Sequence, residues 1–519
     1  MKTVRYIALA CLSLLSAGTM AQTQYDATRL TGSELNGTAR FVGMGGAMGA
    51  LGADISTIGT NPAGIGLFRS NDISTSLSWN SFSTNNDAFD TSRNRMSFDQ
   101  IGFVYAYKFG NETSLRYVNF GFNYHKSKNF NREFNSAANL GGLSQTQQMA
   151  NMMSSFPAST LDDIYDYGDV EGLPNPYAPS ATYPYLGVMG VRSGLVGVNA
   201  AGQAIGWYGD TNAYWSRERG GLEDYDFNIS LNVKDRMYFG FTLGFTNVDY
   251  TRDTYYTEDI YDGPHDGYYE LENYYRQTGV GVDMKLGAIF RPIEDSPFRF
   301  GVAIHTPKWF DLTERYTART VSHLSYDSGA EIFDATEAIY DYVDGDNLRD
   351  YRLTTPWKFN VSAGTTIGNA VAVGAEYEYQ DYSTSNLEYD DGYEMTDQNS
   401  YIDEDLKGVH TLRLGLEARV APQFSLRVGY NFTSAPFKTT AYKALYNDDM
   451  RTDVEFENIF KRNTVTAGLG YRGSYFYADL AYKYDLYKSD FYEFSAEELA
   501  PCKNDNNRHQ VLLTLGVRF

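Results

Sequence analysis

From Met237 to Thr246 the chain alternates without interruption: Met237, Phe239, Phe241, Leu243 and Phe245 fall on one side of an extended backbone, Tyr238, Gly240, Thr242, Gly244 and Thr246 on the other. Successive side chains of a strand point to opposite faces, so the pattern predicts a β-strand with one apolar and one small or polar face. It returns in Leu412, Leu414, Leu416, Ala418 and Val420 against Thr411, Arg413, Gly415, Glu417 and Arg419, and again over 424–432 and 371–379. A hydrocarbon face opposite a face of glycine and charge fits lipid on one side and a lumen on the other. A single strand of this kind would also suit a soluble sandwich.

The spacing of the strands separates those cases. Strands are predicted near 70–80, 98–109, 115–126, 225–234, 236–250, 276–291, 297–306, 357–367, 370–382, 409–420, 423–432, 463–472, 474–487 and 508–519. Short connections such as 110–114, Lys234-Asp235, Gly368-Asn369 and Arg472-Gly473 alternate with long ones at 127–224, 307–356 and 383–408. Membrane barrels have this asymmetry of short periplasmic turns and long outer loops. The expected fold is all-β, a transmembrane antiparallel β-barrel of about fourteen strands with both chain ends periplasmic. The last strand, with Val511, Leu513, Leu515, Val517 and Phe519 on one face, has the form that barrel-assembly machinery recognises.

Composition supports the class. Tyr occurs 44 times and Gly 48 times, and after the first residues no apolar run approaches the length of a membrane-spanning helix. Lys2 and Arg5 followed by apolar Tyr6–Leu15, with Thr19 and Ala21 before Gln22, read as a signal peptide over 1–21. Without Lys2 and Arg5, 41 basic side chains face 65 acidic ones, a net charge of −24. Nothing in that balance suggests a nucleic-acid partner, and none is expected. Only Cys502 would remain, so no disulfide braces the chain.

Before the first strand lies Thr38–Phe68, TARFVGMGGAMGALGADISTIGTNPAGIGLF. No strand precedes its glycines, as a dinucleotide loop would require. Small residues that let backbone pack closely, and a turn at Asn61-Pro62, suit a compact plug inside a barrel. The expected organisation is therefore a plug over 22–69 and a barrel over 70–519, whose largest outer loop is 127–224.

The glycine-rich run, Asp54-Ile55-Ser56, and Asn61-Pro62-Ala63-Gly64 just before the first strand resemble the FadL family of outer-membrane transporters for long-chain fatty acids and other hydrophobic compounds. Weaker echoes follow in Gly301–Pro307 (GVAIHTP), Thr355-Pro356 and Leu426–Tyr430 (LRVGY). The resemblance implies a fourteen-stranded barrel of the outer membrane of a Gram-negative bacterium, with the N-terminal segment folded inside as a hatch. A hydrophobic cargo would displace the hatch and leave sideways through the wall without an energy source. It assigns Asn61, Pro62 and Ala63 to the hatch; Gly121, in the third strand, is placed at the wall gap from its position alone. A FadL-related barrel that shuttles cargo in type IX secretion shares these elements and is the alternative, as is a receptor for haem or another ligand.

Glu376, Glu378, Arg413, Glu417 and Arg427 fall on the lumen face, where such charges pair or anchor a plug; Arg413 and Arg427 are also candidates to hold a substrate carboxylate. Apolar clusters Met149–Phe156 and Tyr183–Val191 in the longest loop read equally as a greasy capture site or as the core of a capping loop. The six histidines show no zinc-like spacing and no nucleophile elbow occurs, so no catalytic residue, metal site or cofactor is expected. His125, His305 and His509 are expected at exposed strand ends; outer His265 and His323 are the candidates to contact haem. Acidic runs at Asp341–Asp346 and Tyr389–Asp405 lack EF-hand spacing and read as solvated, bridged by cations to lipopolysaccharide.

Overall fold

Alternating faces make each strand viable only beside neighbours of the same pattern, and a row of them leaves no unpaired edge only when it closes. The computed structural model describes residues 22–178, 183–262, 265–326, 331–343, 347–368, 370–443 and 450–519; the signal-peptide expectation lies outside them. Fourteen antiparallel strands close into a barrel. They are β1 (Asp72–Asn85), β2 (Asp90–Lys108), β3 (Leu115–Asn129), β4 (Gly209–Val233), β5 (Met237–Asp262), β6 (His265–Phe290) and β7 (Arg299–His305). The other half comprises β8 (Lys358–Ile367), β9 (Val371–Asp381), β10 (Gly408–Ala421), β11 (Phe424–Thr433), β12 (Phe456–Arg472), β13 (Phe476–Tyr492) and β14 (Cys502–Arg518). Each pairs with the next, and β14 returns to β1 in continuous register from Asp72↔Arg518 to Asn85↔Asp505.

The expected faces hold. Phe239 and Leu414 are 39% and 44% exposed, while their neighbours Tyr238 and Arg413 are 2% and 8% exposed. At the outer edge of the apolar band sit aromatic pairs such as Tyr377 with His410 and Tyr482 with His509, each pair 2.7 Å from Oη to Nδ1, an interfacial girdle. His125 and His305 differ from the expectation: both are turned inward, because the parity of their strands points them into the lumen.

β4, β5 and β6 run to 25, 26 and 26 residues, more than twice what a bilayer crossing requires. Beyond Thr246 the outward face of β5 turns polar, so the wall rises past the lipid. Trp309–Tyr326 continues the line of β7 along β6, and Asn347–Thr354 pairs with it in turn. The connection expected at 307–356 is therefore largely sheet, and so are the two ends of that expected at 127–224; polar residues on both faces hid their alternation. What remains of the first is a cap of three helices, α3 (Gln145–Met153), α4 (Ala158–Tyr165) and α5 (Tyr185–Arg192). Met149, Met153, Leu186 and Met189 are fully buried there, so these clusters form the core of a cap and present no open greasy surface.

The N-terminal segment lies inside the barrel. It forms α1 (Gln24–Thr31), α2 (Ala39–Gly43) and two 3-10 turns, Ile55–Gly59 and Pro62–Leu67. Short polar side chains start three of these pieces: Thr38 Oγ1 accepts from Phe41 N (3.1 Å), Asp54 Oδ1 from Ser56 N (3.0 Å) and Asn61 Oδ1 from Ala63 N (3.1 Å).

Candidate functional site: the lumen segment and the parting of β2 and β3

The plug is held first by shape. A Cβ added at Gly240, Gly374, Gly415 or Gly429 would fall within 3.0 Å of plug backbone at Pro62-Ala63, Ala47, Met44 and Met44-Gly45 respectively, and one at Gly287 would strike Asn61. These glycines stand on the lumen face, and only a bare backbone lets the segment come this close. The wall also recognises polar atoms: Ser230 Oγ donates to Pro62 O (2.8 Å), Asn119 Nδ2 to Ile65 O (2.7 Å) and Asn61 Nδ2 to Ala288 O (3.3 Å). Ala63 is fully buried against Tyr238 and Ile289. Asn61, Pro62 and Ala63 thus form one docked turn.

The second hold is ionic. Arg40 of α2 and Arg427 of β11 both grip Glu417, and Arg427 reaches Asp479 at 2.6 Å. Arg413 pairs with Glu376 and Glu378, and the other oxygen of Glu376 accepts from Gly49 N at 2.9 Å. Arg413 and Arg427, the two candidates for a substrate carboxylate, therefore already face protein carboxylates; Arg413 also lines the lumen cavity described below. Higher in the barrel Asp26 pairs with Arg29 and Arg451, whose cations hold its carboxyl below the ordinary range against the cost of burial. Glu34 meets Arg462 and Arg508 and is held down at about 2 by them in spite of its burial.

Beneath α1, between the plug and the stretch of wall from β3 to β10, a cavity of about 80 Å³ remains. Its lining is charged. Lys285 Nζ lies 2.6 Å from Asp226 and Lys308 Nζ 2.9 Å from Asp224; His125 sits between the two carboxylates at 3.6 and 3.8 Å; His305 Nε2 meets Thr60 O at 2.9 Å. Sequence reasoning did not single out this cluster, although the parity of β4 already sets Asp224, Asp226 and Asn228 on one face. Among the described residues no group of three or more His, Cys, Asp or Glu could hold a metal. Of the acidic runs, 344–346 lies outside the described residues and 396–405 forms a helix.

The wall is continuous at Gly121, which pairs with Val104 on one side and Asn228 on the other. A Cβ there would meet Ile58 and Ile65 of the plug at 3.3 and 3.6 Å. The break lies further out on the same strand. The β2–β3 ladder stops at Gln100↔His125, leaving Asp90–Asp99 without a β3 partner. Register slips at this point on both strands, at Asp99 and at Ser127. The plug bridges the opening: Asn36 Nδ2 donates to Asp99 Oδ1 and to Lys126 O, both at 2.9 Å, and Glu34 N donates to Ser127 O at 2.8 Å. Asn36 thus joins two strands that no longer bond each other, and Glu34, two residues before it, ties the segment to β3 beside the opening.

No family model matches the chain, and no curated protein matches it. Solved structures do. The monoaromatic hydrocarbon channel TodX carrying a deletion in S2 aligns with 94% of this chain and all of its own at 10% identity, with a TM-score of 0.51. The Ralstonia pickettii toluene transporter TbuX (13% identity, 93% of this chain, 99% of its own, TM-score 0.46) and a Pseudomonas aeruginosa FadL homologue (11%, 97%, 99%, 0.45) also align. At such identity the likeness to the TodX variant shows a shared fold.

Proposed function

We propose that this barrel is an outer-membrane transporter for the passive, hatch-gated uptake of hydrophobic molecules, with both chain ends in the periplasm. The observation that carries the reading is the contrast between the two routes past the plug. Down the axis lie paired Lys285, Asp226, Lys308 and Asp224, which an apolar molecule cannot solvate and would have to strip of their partners. Sideways lies a parting of the wall bridged by Asn36, with Glu34 bonded to its β3 side, opening toward the lipid that an apolar molecule prefers. Movement of residues 33–37 would free Asp99 and the carbonyls of Lys126 and Ser127 and leave a lateral exit. That the TodX variant sharing this fold is described as a monoaromatic hydrocarbon channel fits the reading.

The test is uptake by cells of a panel of long-chain fatty acids and monoaromatic compounds, with the wild type beside a chain lacking Thr38–Gly64. The deletion is expected to insert as a folded barrel and lose regulated uptake. Uptake unchanged by the deletion for every compound would overturn the proposal. So would large ion conductance of the wild type in a planar bilayer, the mark of an open porin. A stable protein partner purified in place of any lipid would favour a shuttle or assembly role.

A further inference from the structure

Above the apolar band the outward face of the wall changes character. On β4, Tyr214, Ser216 and Glu218 turn inward, so Trp215, Arg217 and Arg219 face out. Arg93 reaches across the break from the edge of β2: its Nη1 approaches the carbonyls of Arg132 and Glu218 at 3.4 Å each, which brings it level with Arg217 and Arg219. Arg95 Nη1 donates to Asn131 Oδ1. Three guanidiniums, Arg217, Arg95 and Arg219, thus crowd a fourth, with Glu133 the carboxylate set against them. Arg219 is paired with Asp253 at 2.6 Å, while the Nε atoms of both Arg217 and Arg219 are buried with no hydrogen-bond partner among the described residues. In a chain whose formal charge is −22, mutual repulsion of this kind persists where an anion relieves it.

Beside the arginines, on the same outward face, a groove of about 610 Å³ is lined by Trp215, Tyr255, Tyr274 and Tyr340, with Glu272 and Arg319 paired at its edge. Half-buried aromatic faces framed by a carboxylate and a guanidinium suit a ligand with apolar C–H faces and a rim of hydroxyls, that is, a sugar ring. The height is informative as well. Outward apolar side chains on β1 and β2 end at the register pair Trp79↔Met96; Arg95 and Arg93 follow one and three residues further along β2, opposite Asn80 and Phe82, with the parity of the lumen face, and where β2 has no β3 neighbour they reach into the seam toward β4. At a strand rise of about 3.3 Å per residue, the arginines begin within about 10 Å of the hydrocarbon edge, in the headgroup layer.

We propose that Arg93 and Arg95 in the seam, Arg217 and Arg219 on the outward face beside it, and the adjoining groove of Trp215, Tyr255 and Tyr274 bind the phosphorylated sugar headgroup of an outer-leaflet glycolipid. The arginines take the phosphate through forked N–H pairs and the groove takes the sugar. The site borders the parting of β2 and β3, so the lipid stands at the side door of the barrel. The inference rests on the outer-membrane placement above but not on transport.

The experiment incubates the delipidated full chain in detergent with diphosphoryl lipid A, with dephosphorylated lipid A, with phosphatidylethanolamine and with inorganic phosphate, and counts retained molecules by native mass spectrometry. The wild type should retain diphosphoryl lipid A in preference to the other lipids. Arg217→Gln combined with Arg219→Gln should weaken retention at least about tenfold, with unchanged heat-modifiable mobility. Arg95→Gln, whose recorded bond is to one asparagine side chain, serves if the double variant fails to fold and should weaken retention in the same direction. Equal retention of the phosphorylated and dephosphorylated lipids, or no loss in the variants, overturns the proposal; competition by inorganic phosphate at concentrations equal to lipid A overturns the glycolipid assignment. Uptake is measured in parallel: a chain that binds lipid A selectively yet takes up no hydrophobic compound refutes the transport reading and leaves this one standing.

Discussion

The plug rests on wall glycines, so a single methyl group on the barrel should act as a wedge. Gly240→Ala together with Gly429→Ala places one Cβ against Pro62-Ala63 and another against Met44-Gly45, two separate points of the segment. Neither neighbour is the end of a flexible side chain. Pro62 O is tied to Ser230, and the Met44 turn is closed by Gly45 N to Val42 O at 2.9 Å. Overpacking of this kind costs about 1–3 kcal/mol per site, and sites this far apart in the plug add, so the docked state should lose roughly 2–6 kcal/mol. At about 1.4 kcal/mol per factor of ten, the docked fraction falls at least about thirty-fold relative to the undocked. The wall should not suffer, because alanine suits a strand better than glycine. Limited trypsin digestion at Arg40 and planar-bilayer conductance read the outcome: cleavage and ion leak should both rise while the barrel keeps its heat-modifiable mobility. Gly110→Ala, where the new Cβ meets Thr113 at an ordinary 3.5 Å, is the control. A double variant as protease-resistant and as tight as the wild type would refute the idea that shape complementarity closes this barrel.

Three further outcomes follow from the charge network and the docked turn. Arg427→Met leaves Asp479 buried without its cation, and urea unfolding should show a loss of about 3–5 kcal/mol; a loss under 1 kcal/mol would show that the ion pairs contribute little. Glu314, on the outer extension, accepts from Gln22 Nε2 (2.6 Å) and Tyr275 Oη (3.0 Å), and burial, aided by Asp26 and opposed by Arg451, raises it from 4.5 to about 7. A raised carboxyl stabilises the fold while it keeps its proton, so amide protection of α1 should weaken by up to about 3 kcal/mol as pH rises from 4.5 through 7, whereas the depressed Asp26 makes protection fall below about pH 4; protection that is flat between pH 5 and 8 would contradict the assignment. Asn61→Ala removes the cap of the Pro62 turn and the bond to Ala288, and should cost about 0.5–2 kcal/mol of plug docking, read as faster proteolysis of the segment with an intact barrel.

Period-two alternation is a local property, and it carried the strands of this barrel. Wherever hydrocarbon alternates with small or polar residues, as in Met237–Thr246 or Leu412–Val420, lipid and lumen faces follow from the geometry of an extended chain, and fourteen such runs with alternating connections imply closure. The glycine-rich segment and its Asn61-Pro62 turn were legible too, because glycine and proline act on their own backbone. Less visible were the stretches where both faces meet water or protein, the outer halves of β4 to β6 and Trp309–Tyr326, since nothing there forces an apolar face. The wall glycines and the inward Asp224, Asp226, His125 and His305 stood on the lumen face by parity alone, but their meaning depends on what lies across the barrel. Which plug atom meets Gly429, that Arg427 finds Asp479, 52 residues away, and Arg451 finds Asp26, 425 residues away, and that β2 and β3 part at Asp99 and Ser127 where Asn36 joins them, all depend on register and closure. Those are set by every strand at once. Sequence alone determined a barrel with something folded inside it; the tertiary structure decided where that segment binds and which side of the wall it guards.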